Sequence, residues 1–201
     1  MRWLVPALLA LGCAEARLPR VPGDPPPALA DLAAEGEYQA ALERATRTAA
    51  VYDVLDAKAF LGAVWQTPAF TEARMRREGA FKEWPPELLA ARLAAERQRL
   101  DGVTEFFLGV HVNEPRFDDF GRPGSIWRLA LEVDGGPQRE PLSIERLGRT
   151  SVELRATYSF LEPFWVGYRV RFPAVTARPG QRLTLHLASA VGAAHLVYPV
   201  E

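Results

Sequence analysis

Few side chains in this chain are of a type that carries chemistry, and their spacing limits what each can do. His111, His186 and His195 are the only histidines. If Ser189 to Gly192 is the loop of a hairpin, His186 falls directly opposite His195, on the outward face of its strand. Two neighbouring imidazoles bind zinc or copper when a third ligand joins them. Neither an H-x-E-x-H spacing nor a second cysteine accompanies the pair, so the expectation is histidines without metal, His186 and His195 being the candidates if a metal binds. The segment Asn113-Glu114-Pro115-Arg116-Phe117-Asp118-Asp119 gathers three carboxylates and an amide. Calcium takes six to eight oxygens in such loops, but no EF-hand pattern is present, and a solvated turn is the expectation for Asp118 and Asp119. As a hydrolytic pair they would need a fixed separation, which adjacent loop residues do not have.

Nucleophilic and phosphate-binding devices are missing. No G-x-S-x-G elbow occurs, Gly124-Ser125-Ile126 reading as a turn into a strand, and neither a P-loop nor a dinucleotide fingerprint is present. Arg74-Met75-Arg76-Arg77, with Phe81, Lys82 and Trp84 nearby, is the one local basic run, and it reads as an exposed helix face. Trp127, Phe164 and Trp165 are candidates for a ligand-stacking platform, though sandwich cores use such aromatics routinely. No cofactor is expected.

The elements that position these residues follow from periodicity. Over residues 29–65 apolar positions (Tyr38, Ala41, Leu42, Ala45, Ala49, Tyr52, Leu55, Ala59, Phe60, Val64) recur at three- and four-residue steps, which predicts one long helix. Thr67-Pro68 opens a second helix, expected to end at Gly79, and Trp84-Pro85-Pro86 a third, ended by Asp101-Gly102. Beyond Gly102 the period becomes two. Strands are expected over 106–112, 127–133, 141–147, 151–158, 165–172, 182–188 and 194–198. The fold class is therefore α+β: an N-terminal helical segment (29–101) packed on a C-terminal antiparallel sandwich of about seven strands (102–201), resembling the immunoglobulin-like class in architecture only. Phe107 and Trp165 fall on the sheet face that the helices would cover.

Composition narrows the partners. With 48% apolar and 24% charged residues among 201, and a formal net charge of −1, the chain is of globular composition and has no basic field to recruit nucleic acid. Residues 13–28 carry five prolines and read as an extended tether.

The first thirteen residues remain. Arg2 is followed by the apolar run Trp3 to Leu11, too short to span a bilayer, and then by Gly12 and Cys13, the only cysteine. Ala10-Leu11-Gly12-Cys13 resembles the bacterial lipobox, with Ala10 and Leu11 standing where that pattern has a leucine and then a small residue. The resemblance implies that residues 1–12 are a signal peptide and that Cys13 becomes lipidated, so that two or more acyl chains hold the protein to a membrane. A plain secretory peptide cut after Ala14-Glu15-Ala16 is the alternative, and it would remove Cys13. The layout as a whole is similar to bacterial envelope lipoproteins: lipobox-like start, proline tether, helical segment, then strands carrying Ser125-Ile126-Trp127 and Tyr168-Arg169-Val170-Arg171-Phe172-Pro173. That class implies an envelope location, on the outer membrane given Ala14 after the cysteine, and brings no activity with it. The expectation is a tethered, non-enzymatic binding or scaffold module with an envelope protein as possible partner. The alternatives are a metal-binding envelope protein and a hydrolase of envelope polymers.

Overall fold

The structure, a computed structural model, describes residues 32–53 and 56–200, so Cys13 and the proline-rich segment lie outside the described residues. Helix α1 (Leu32–Ala45) turns its Tyr38, Ala41, Leu42 and Ala45 inward at the predicted three- and four-residue steps. The predicted helix stops there. Thr46–Asp53 (β1) and Asp56–Trp65 (β2) form an antiparallel hairpin that pairs Thr46 with Val64 and Leu61 with Ala49. The period misleads because β2 is covered on both faces: Ala59, Leu61 and Ala63 point into one core, while Gly62 and Val64 are buried on the other side. A strand buried on both sides reads as a continuous apolar run that matches a helical template as well as a strand one.

The next two helices start where the prolines say. In α2 (Pro68–Phe81) the Thr67 hydroxyl accepts from the Phe70 amide at 3.1 Å, with Pro68 at the first helical position. Gly79, expected as its terminator, instead lies inside the helix, where an added Cβ would stand 3.3 Å from both Trp84 and Leu89. It is a point of close packing against α3 (Pro86–Leu100), which ends at Asp101 with Gly102 at φ +70°.

The remaining strands are β3 (Val103–Val112), β4 (Arg128–Val133), β5 (Ser143–Arg149), β6 (Val166–Pro173), β7 (Arg182–Ser189) and β8 (Gly192–Pro199). Residues 151–158, expected as a strand, form a short helix instead, α4 (Val152–Thr157), capped by the Ser151 hydroxyl on the Leu154 amide at 3.2 Å. Val152, Leu154, Ala156 and Tyr158 imitate a period of two, but the cap and the helix-forming Glu153-Leu154-Arg155-Ala156 decide the segment. Two antiparallel sheets result, one in the order β1-β2-β3-β6-β5 and one in the order β4-β7-β8. They are open, not a closed barrel. Arg47 on β1 donates through Nε to the Val197 carbonyl of β8 at 2.9 Å, which ties the sheets together at one corner.

Two cores share the five-stranded sheet. Between the sheets lie Leu61, Phe106, Leu108, Tyr168, Val170 and Phe172, against Leu129, Leu131, Leu183, Leu185, Leu187 and Leu196 from the three-stranded sheet. On the other face Tyr38, Leu42 and Phe70 of the helices meet Val64, Phe107, Tyr158 and Leu161, with Trp165 packed at the margin. The helical layer therefore covers Phe107, as the strand pattern requires.

Candidate functional site

His186 and His195 are register partners on β7 and β8, with Ser189 opposite Gly192 across the hairpin turn. Their Nδ1 atoms face each other at 2.8 Å and the ring centroids are 4.9 Å apart. The Glu132 carboxylate of β4 lies 3.1 Å from Nε2 of His186, a buried nitrogen that has no hydrogen-bond partner in line with it. The carboxylate thus sits at the far end of the ring from His195, where it cannot share a metal with both Nδ1 atoms. Among the described residues no group of three or more His, Cys, Asp or Glu side chains is arranged to hold a metal ion. His111 stands apart, with its ring between Phe60 and Trp165 at centroid distances of 6.4 and 6.5 Å.

The acidic loop is built into the fold. Asp118 accepts from the Tyr168 hydroxyl and from Arg146 at 2.7 Å. Asp119 accepts from the Ser125 hydroxyl at 2.9 Å and faces the Ile126 amide at 3.3 Å, so it shapes the turn before β4. Glu114 pairs with Arg116 at 2.5 Å, and the Asn113 amide donates to the Ala57 carbonyl. Each of the three carboxylates engages its own partners, and none is shared between them.

The basic run disperses in the same way. Arg74 reaches Glu96 at 2.8 Å, Arg76 reaches Glu72 at 2.6 Å, and Arg77 reaches Glu35 at 2.6 Å while lying over the Tyr38 ring. Met75 between them is buried. The three aromatics are likewise dispersed. Trp127 stacks on Phe120 inside the sandwich and donates Nε1 to the Phe117 carbonyl at 2.7 Å. Trp165 packs at the margin of the helix-side core, and Phe164, at φ +78°, is 74% exposed.

A cluster that sequence reading missed lies where α2 and α3 meet the open face of β3 and β6. Glu105 on β3 is only 4% exposed. It accepts from Arg99 at 2.5 Å and Arg171 at 2.8 Å, with Arg169 at 3.8 Å. Arg99 also donates to Glu96, which holds Arg74 in turn. Burial alone would raise the Glu96 pKa, but the hydrogen bonds from Arg99 and Arg74 outweigh it and hold the carboxyl below its ordinary 4.5. Arg74, Glu96, Arg99, Glu105 and Arg169 wall a cavity of about 200 Å³ whose remaining lining includes Gln66, Phe107, Leu147, Leu154 and Tyr158. The ring of Tyr158 stacks on Phe107 at 3.9 Å, and burial pushes its hydroxyl pKa upward.

No protein-family model, curated protein or solved structure matches this chain. The site offers guanidinium donors and a stacked aromatic wall, with no nucleophile held beside a base. The one available sequence signal was Arg169 and Arg171, two residues apart and hence on one strand face. Their partner Glu105 could not be named without the register that places it opposite Arg171.

Proposed function

We propose that this chain is a lipid-anchored module of the bacterial cell envelope, held at the outer membrane through Cys13, that binds or scaffolds an envelope partner and carries out no catalysis. The anchor rests on one observation: the only cysteine of the chain stands directly after Ala10-Leu11-Gly12 and ahead of a proline-rich stretch suited to a tether. An immunoglobulin-like sandwich is the body that this tether presents. Among the described residues no helix is long and apolar enough to cross a membrane.

Binding is favoured over hydrolysis by the use made of the acids. A glycosidase or similar enzyme needs two carboxyls flanking one scissile bond. Glu114, Asp118 and Asp119 are instead each engaged with a different basic, hydroxyl or amide partner. A second reading, metal binding by His186 and His195, draws on their facing Nδ1 atoms.

Crosslinked pull-down of the native, membrane-attached protein tests the binding role. A reproducible envelope protein captured by wild type is the expected result. Turnover of purified envelope polymers by the isolated chain, abolished by Asp118→Asn, would replace this reading with an enzymatic one.

A further inference from the structure

We propose that the cavity between α2, α3 and the β3–β6 face is a binding site for a small organic carboxylate, with the charged head among the arginines and a short apolar tail against the aromatic wall. The proposal goes beyond the anchored-module reading and stands apart from it, since nothing in the cavity involves Cys13.

Charge is the first observation. The cavity lining brings the three guanidinium groups of Arg74, Arg99 and Arg169 to the two carboxylates of Glu96 and Glu105. Arginine stays charged at any physiological pH, so one positive charge is left over in a partly desolvated place. A ligand carrying a single negative charge balances it.

The second observation is an unmet donor. Nε of Arg74 is buried and has no hydrogen-bond partner among the described residues, although Nη2 of the same group holds Glu96. Buried donors are rarely left unpaired, and a guanidinium edge is shaped to take a carboxylate. Glu96 and Glu105 do not close the site to an anion, because each already accepts from two arginines.

The third is the rest of the lining. Leu147, Leu154 and the stacked pair Phe107 and Tyr158 supply apolar surface beside the arginines, and the volume of about 200 Å³ accommodates a small organic acid. An inorganic phosphate would satisfy the arginines and leave the apolar wall without a partner. A short-chain carboxylate satisfies both.

The test is calorimetric titration of the folded chain with butyrate, acetate, n-butanol and inorganic phosphate at constant ionic strength. Saturable binding of butyrate is expected, roughly tenfold tighter than acetate because two further methylenes are buried, with no binding of n-butanol. Arg169→Gln, on a half-exposed arginine, is expected to weaken butyrate at least tenfold while the melting temperature stays within a few degrees. Arg74→Lys keeps a cation for Glu96 but removes Nε, and the same loss is expected. If Arg74→Lys does not fold, Arg169→Gln decides alone. Absence of saturable butyrate binding overturns the proposal, as does equal affinity in Arg169→Gln, or phosphate binding more tightly than butyrate.

Discussion

The ring of Phe160 lies directly over the backbone of Gly62, in space that a Cβ at that position would occupy. Gly62 belongs to a row: Gly62 pairs with Gly109, Gly109 with Gly167, and Gly167 with Gly148, so four adjacent strands of the larger sheet are bare at one level. Phe160 and Leu161, from the segment between α4 and β6, fill this trench over Gly62 and Gly109, and a Cβ at Gly109 would overlap Leu161 and stand 3.0 Å from Phe160. The glycines let that segment lie flat on the sheet and complete the helix-side core.

Gly109→Ala should therefore lift Phe160 and Leu161 and lower stability by about 1–3 kcal/mol, the usual cost of overfilling a packed site. Gly36→Ala is the contrast. Gly36 lies inside α1 with nothing within 4 Å of an added Cβ, so alanine should stabilise by up to about 1 kcal/mol through helix propensity. Urea midpoints at constant m-value report both.

Acid should loosen the clamp between α2, α3 and the sheet. Glu96 has a folded pKa below its ordinary 4.5, so its contribution is present above about pH 4.5 and is lost as pH falls through the lowered value. Thermal melting from pH 7 to pH 2.5 should show stability declining below about pH 4.5. Glu96→Gln should cost about 2 kcal/mol at pH 7 and give a shallower acid decline, because the group that titrates is gone.

Metal loading separates the two readings of the histidine pair. Because Glu132 approaches Nε2 of His186, away from the Nδ1 atoms, the pair has no third converging ligand among the described residues. Elemental analysis after micromolar zinc or copper exposure and desalting should find well under one equivalent, unchanged in a variant carrying His186→Ala with His195→Ala. A stoichiometric metal lost in that variant would establish the metal-binding reading.

The sequence was most informative where a single local signal decides an element. Thr67-Pro68 and Pro85-Pro86 mark the helix starts without help from the rest of the chain. The turn between Ser189 and Gly192 sets the register of its hairpin and so brings His186 to His195. Signals failed where tertiary burial erased the pattern. In β2 both faces are covered, so alternation disappears; at α4 the cause is different, since Val152, Leu154, Ala156 and the following Tyr158 fall at even spacing in a helix with no buried residue. The Glu105 cluster was illegible for another reason. Its members come from α2, α3, β3 and β6, and only the pairing of Glu105 with Arg171 brings them together.

The envelope anchor is tested most directly by replacing Cys13 with alanine and fractionating cells that express the full chain. Wild type should sediment with membranes and leave them only in detergent, while Cys13→Ala should appear in the soluble envelope fraction. A Cys13→Ala protein that remains membrane-bound to the same extent as wild type would contradict lipid anchoring at this residue.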